Sequence, residues 1–156
     1  LFNHAVTKGA IFMLLGGIAV SAGGVGLARI QGIGRSMPIA SLGLVICGLS
    51  LIGVPGTAGF ISKWVLVQAA IERGQWWLVF VIVLSSLFAI VYVWRFVEAA
   101  YFGEPPADAH PAVKVRWQLV APSAVLVAAT VYFGIDSSFT LGSATAAASQ
   151  LFGGAH

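Results

Sequence analysis

An all-α integral membrane fold is the expectation, and three observations carry it. Hydrophobic residues make up 59% of the chain and charged residues 8%, with a mean hydropathy of +0.97. A soluble core of this length cannot hide that much apolar surface. Five stretches approach or exceed the roughly 20 mostly apolar residues that about 30 Å of hydrocarbon requires at about 1.5 Å per residue. Their ends carry the residues that stop helices or sit at a membrane interface: glycine, proline, tryptophan and tyrosine.

The spans are expected at residues 2–27, 37–54, 58–72, 76–102 and 117–133. The first runs into the glycine-rich, arginine-flanked ARIQGIGRS. The second opens at Met37 and Pro38, with Ser36 placed to cap it and Pro38 suited to a first turn. The third stops at ERGQ, where Gly74 suits a helix C-terminus. The fourth is the cleanest apolar run, with Trp76, Trp77, Tyr101 and Phe102 where an aromatic belt belongs. The charged, proline-containing GEPPADAHPAVKVR leads to the fifth. Residues 1–135 thus form a transmembrane helical region, and 136–156 a small-residue C-terminal tail, read as loop with one short helix. The chain starts at Leu1, and its first apolar run has neither a basic leader nor a signal-cleavage pattern. It reads as a piece of something longer.

Several function classes fall away. The formal net charge is +3, but the eight Lys and Arg residues are scattered over helices and loops and form no basic patch, so nucleic acid is not an expected partner. Cys47 is the single cysteine, inside an apolar run, and reads as a packing residue. No cysteine or histidine cluster suits an iron–sulfur centre, and no metal or cofactor is expected.

The chemistry concentrates in GVPGTAGFISKW, residues 53–64. Pro55 cannot donate a backbone hydrogen bond and disfavours helix at Val54, while Gly53, Gly56 and Gly59 make non-helical dihedrals cheap. A helix break is expected over residues 55–59. Freed backbone groups cannot face lipid, so the break belongs at the membrane surface or inside protein around a wet cavity. Lys63 then sits about 12 Å past Pro55 on a helix, at a depth where an ionisable group costs about 2.5 to 3.5 kcal/mol. One reading is a lysine that snorkels to the interface beside Trp64; the other is a functional group.

NHAVTKGAIFMLLGG, at the start, places His4 and Lys8 four residues apart on one helix face. A position near a membrane surface would explain both; so would a role in proton transfer. A buried lysine changes its proton affinity when a neighbouring charge moves, and imidazole passes a proton between its two nitrogens. His4, Lys8 and Lys63 therefore form a candidate proton relay. Arg95 and Glu98, three apart in the fourth span, are expected to neutralise each other.

At these residues the sequence resembles the antiporter-like membrane subunits shared by respiratory complex I and the multisubunit, Mrp-type, cation/proton antiporters. NHAVTKGAIFMLLGG is similar to that family's His-x-x-x-Lys helix, GLSLIGVPGTAGFISKW to its Gly-x-Pro-x-x-x-Gly-Phe-x-x-Lys signature, and GIGRSMP to the connection before it. The resemblance covers residues 1 to 103. It implies a fold of roughly fourteen transmembrane helices in two inverted five-helix repeats, of which this chain is the C-terminal third. It implies that Lys63 is the central lysine of the second half-channel, with Lys8 and His4 as connecting residues.

Lysine rather than glutamate at position 63 disfavours the complex I subunit type that uses glutamate there. GTAGFISKWVL and YVWRFVEAAYFG look more like the D subunit of the Mrp-type antiporter. The implied function is a proton-translocating membrane subunit coupled to Na+ or K+ antiport. The alternatives are a proton-pumping membrane subunit of NADH-quinone oxidoreductase, which would make it part of an enzyme, and a non-transporting membrane scaffold. A quinone site is a weaker option, since the spans show no clear polar pocket. The expected partners are other membrane subunits of a multisubunit complex and the lipid bilayer, and the expected location is the cell inner (plasma) membrane, crossed several times. No acidic residue precedes Glu72, so the glutamate that the family pairs with a lysine would lie upstream of Leu1. This stretch alone is not expected to transport.

Overall fold

The computed structural model describes residues 1–24, 26–104 and 117–152. The charged connection at 105–116, with Lys114 and Arg116, lies outside the described residues. Among those described, every regular element is helical: α1 (Phe2–Ala22), α2 (Ile33–Ser36), α3 (Pro38–Ile52), α4 (Ala58–Glu72), α5 (Trp76–Val97) with a π-turn (Glu98–Phe102), α6 (Trp117–Ile135) and α7 (Ser138–Phe152).

Helices α1, α3, α4, α5 and α6 overlap the five apolar stretches, whereas α2 and α7 lie outside them, and the helices differ in reach. Phe2–Ser21 and Trp76–Phe102 are each long and apolar enough to cross a membrane. Helices α3 and α4, of 15 residues each, are about 22 Å long at 1.5 Å per residue, short of the hydrocarbon thickness on their own. In the tail, residues 138–152 form a full helix rather than a loop with a short one. Its run of alanines, with Leu141 and Gln150, has the composition of a strong helix former. It is set 76° from α6 across residues 136–137, and the bent pair together is long and apolar enough for one span.

Local chemistry explains the ends. Pro38 takes the first helical position of α3, where its missing N–H costs nothing. Ser36, expected as the cap of that helix, is instead the last residue of α2, and its hydroxyl donates to the Ile33 carbonyl at 3.3 Å; Met37 holds the cap position without a side-chain bond. After α4, the Gly74 N–H donates to the Ile71 carbonyl at 2.9 Å and closes the helix. At the start of α7, the Asp136 carboxylate accepts from the Ser138 N–H at 3.0 Å and from its hydroxyl at 2.6 Å, a favourable placement of negative charge at a helix N-terminus. The bend itself is packed by Phe2, Phe133 and Phe139, whose ring centroids lie 5.2 to 6.2 Å apart.

Helix α3 is the hub: α1, α2, α4, α5 and α6 all pack against it. The core joins Leu14 and Ile18 of α1, Ile33 of α2, Ala40 and Leu44 of α3, and Ala100 of the π-turn. The π-turn leaves the Ala99 carbonyl open to the Gly32 N–H at 3.0 Å, which ties the connector before α2 to the end of α5. Cys47 is fully buried in α3 and packs there as a small hydrophobe. Arg95 and Glu98 line one cavity of about 330 Å³ with Leu27, Gln31 and Phe102. No ion pair forms among the described residues, so the expected Arg95–Glu98 pairing is not made. Much of α5 is exposed, including Trp76, Trp77, Phe80, Phe88 and Trp94, as suits a helix whose neighbours are lipid or other membrane helices.

Gly59 decides how closely α4 can approach α3. A Cβ there would stand 1.8 Å from the Ser50 carbonyl oxygen, a backbone atom with nowhere to go. Gly59→Ala is expected to cost more than about 2 kcal/mol through overpacking, read as a lower thermal midpoint of the intact protein in detergent. Gly16→Ala, where a Cβ meets nothing within 4 Å, is expected to leave that midpoint unchanged or slightly raised.

Candidate functional site

A helix leaves its last four carbonyls without intrahelical partners, and at the end of α3 each one is answered. Gly53, with φ of 91° in the left-handed region, turns the chain so that its N–H donates to Leu49 O at 3.0 Å and Ser50 O at 3.1 Å. The Val54 N–H adds a bond to Leu49 O at 3.1 Å. The remaining two carbonyls belong to Leu51 and Ile52, and Lys63 takes both, its Nζ donating at 2.8 and 3.0 Å. Its third bond goes to Ser86 Oγ of α5 at 2.6 Å. The ammonium therefore sits on three oxygens at the negative end of a helix, the place where a cation is most favoured. Its stem lies over Gly53, where a Cβ would meet Lys63 Cδ at 3.0 Å.

The break occupies residues 53–57. Pro55 and Gly56 lie within it, Gly56 with φ of 87°. Gly59 lies inside the first turn of α4, and its function there is close approach rather than loosened backbone. The Thr57 hydroxyl donates to Val54 O at 2.7 Å and closes the turn. The Gly59 N–H, one of the free donors at the start of α4, finds Ser50 Oγ at 3.1 Å. From α6, Gly134 meets the break so closely that a Cβ would fall 2.3 Å from Thr57 backbone atoms. Helix α1 supplies the last wall: Asn3 Nδ2 donates to Ala58 O and Ser62 Oγ, both at 3.1 Å, and Thr7 Oγ1 lies 3.2 Å from Ser50 Oγ.

Of the three expected relay residues, Lys63 stands at the centre of this arrangement, half-buried. His4 and Lys8 are exposed on α1, on a face one residue round from the buried Asn3 and Thr7. No hydrogen bond among the described residues joins either of them to Lys63. The polar side chains that bond to the helix ends beside the break and to Lys63 are Asn3, Thr7, Ser50, Ser62 and Ser86, none of which sequence reasoning singled out. The usable signal was the spacing of Asn3 and Thr7, polar residues four apart at the start of an apolar helix and so on one face. Among the described residues, the buried polar atoms Asn3 Oδ1 and Ser41 Oγ have no partner.

These features define an all-helical, membrane-embedded protein in which an interrupted helix holds a lysine at its broken end. The chain belongs to the family described as NADH:quinone oxidoreductase/Mrp antiporter, transmembrane, whose profile matches residues 1–89. It is 38% identical over 133 residues to an NADH-quinone oxidoreductase subunit N of Desulforudis audaxviator, covering 81% of this chain and 26% of that protein. It is 33% identical over 152 residues to the A/B subunit of a probable K(+)/H(+) antiporter of Rhizobium meliloti, covering 91% of this chain and 15% of the relative. With the D subunit of the Na(+)/H(+) antiporter of Bacillus subtilis the identity is 27% over 139 residues, covering 89% and 28%. The chain thus spans about a quarter or less of the length of these relatives. Its fold matches a chain in the structure of an Mrp complex from Dietzia sp. DQ12-45-1b with a TM-score of 0.81 at 22% identity, covering 89% of this chain and 34% of that one.

Lys63→Met strands the Leu51 and Ile52 carbonyls, and it is expected to destabilise the protein by about 1–3 kcal/mol. Ser86→Ala removes one of three acceptors and is expected to cost less, about 1 kcal/mol. Thermal unfolding of the intact protein in detergent measures both.

Proposed function

We propose that this chain is part of a proton-translocating membrane subunit in which Lys63 takes up and releases the proton. The observation that carries the reading is the setting of the Lys63 ammonium, held by two helix-end carbonyls and one hydroxyl, with no carboxylate bonded to it among the described residues. Interrupted helices in transporters use such carbonyl ends to hold H+ or Na+. A lysine without a fixed counter-ion gives up its proton when the surrounding field changes, which an ion-paired lysine resists. His4 and Lys8, on the exposed face of α1, are the groups proposed to exchange protons with it through water. The break at Pro55 and Gly56 gives Lys63 its partners, and Gly59 lets α4 lie close enough to use them.

In this reading the protein works beside other membrane subunits in the cell inner membrane, coupled to the antiport of Na+ or K+. The likeness to one subunit of an Na(+)/H(+) antiporter and to another of a probable K(+)/H(+) antiporter supports that coupling. A second reading, a proton-pumping membrane subunit of an NADH-quinone oxidoreductase, is favoured by the 38% identity with a subunit N. Both give Lys63 the same role. The scaffold reading has its own support, because the capping bonds of Lys63 would stabilise the break without any proton leaving.

Lys63→Arg separates transport from scaffolding. Arginine keeps the charge and the donors but does not release a proton near neutral pH. Proton flux in vesicles, using the full-length protein in its native complex, is expected to fall at least tenfold in Lys63→Arg while a blue-native gel shows normal assembly, since general acid–base groups contribute about 10²–10⁴-fold. Flux near the wild-type level would leave Lys63 as a structural cap.

A further inference from the structure

Helix α1 presents two polar pairs. His4 and Lys8 face outward, whereas Asn3 and Thr7, the residues just before them, are turned about 100° round the helix and are only 7% and 2% exposed. That inner pair makes every direct side-chain hydrogen bond between α1 and the broken helix.

The polarity of these bonds is fixed. The Gly59 N–H only donates, so Ser50 Oγ accepts from it. The Thr7 hydroxyl spends its single proton on the Asn3 carbonyl at 3.0 Å, so in the 3.2 Å contact between the two hydroxyls Ser50 is the donor. The chain therefore runs one way, from Gly59 N–H to Ser50, to Thr7, to the Asn3 carbonyl. A chain that begins on a backbone amide and ends on a backbone carbonyl has no group at either end that exchanges protons, so it is no proton wire. Beside it, Asn3 Nδ2 holds Ala58 O and Ser62 Oγ on the α4 side, while Ser62 Oγ bonds back to Ala58 O at 3.3 Å.

We propose that Asn3 and Thr7 are positioning residues that clamp α1 to both edges of the break, through Ser50 on α3 and through Ala58, Gly59 and Ser62 on α4. The clamp makes α1 and the first turn of α4 move together. Lys63 lies one turn beyond Gly59, so its reach to the Leu51 and Ile52 carbonyls follows the clamp, and the outward face with His4 and Lys8 moves with it. For its effect on transport the inference rests on the proton reading of Lys63; its structural half does not.

The test is hydrogen–deuterium exchange, read by mass spectrometry on the peptide covering residues 53–62, in the full-length protein within its native complex. Thr7→Val keeps the side-chain shape and removes the hydroxyl. Exchange in that peptide is expected to quicken about fivefold, the effect of one buried hydrogen bond, with α5 unchanged, and proton flux is expected to fall. Thr7→Ser is expected to restore both. Ser50→Ala, which attacks the same chain from α3, is expected to quicken the same peptide and serves if Thr7→Val does not assemble. Unchanged exchange over 53–62 in either variant overturns the clamp, as does faster exchange spread evenly over all helices. If Lys63→Arg keeps full flux while Thr7→Val still loosens residues 53–62, the clamp stands and the proton reading falls.

Discussion

A helix that stops inside an apolar protein leaves carbonyl groups that water cannot readily reach, and this structure depends on how those of α3 are answered. The turn at Gly53 satisfies Leu49 and Ser50. Lys63 satisfies Leu51 and Ile52. Left unmet, the Leu51 and Ile52 carbonyls would together cost about 1–3 kcal/mol, so the charged side chain and the broken backbone need each other. A lysine in an apolar helix is expensive alone, as is a helix that ends without donors; placed together, each relieves the other.

Satisfying those groups requires close packing, which explains the small and hydroxylated residues around the break. Gly59 lets α4 touch the Ser50 carbonyl, and Gly134 lets α6 touch Thr57. Ser50 serves the Gly59 N–H and Thr7 at once, and Ser86 offers its oxygen to Lys63 while its own hydroxyl bonds to Ile82 O at 3.2 Å. Helices α1, α3, α5 and α6 thus border the break and its lysine, while Pro55 and Gly56 at its tip are exposed.

The all-helical membrane fold was legible from composition and run length, and the break from Pro55 and its neighbouring glycines, because proline and glycine act through local dihedrals. Lys63 stood out because charge in an apolar run is costly wherever it falls. What lay beyond reach was pairing across long sequence separations. Nothing local tells that Ser86, 23 residues on, meets Lys63, or that Ser50 and Thr7, 43 apart, share a hydrogen bond. Serine and threonine inside apolar helices commonly bond their own backbone four residues back, as Ser21 and Thr130 do here, so their presence alone does not mark a site. Ser36 misled for a related reason: it has the chemistry of an N-cap, but it is the last residue of α2.

In the proposed role the Lys63 ammonium rests on the end of α3 while protonated and leaves it when the proton goes. High-resolution structures of the intact complex at acidic and at strongly alkaline pH decide this. Nζ is expected within hydrogen-bond distance of the Leu51 and Ile52 carbonyls at acidic pH, and displaced from them at alkaline pH with water in its place. An Nζ that keeps both carbonyls at both extremes, or one that never contacts them, would contradict it.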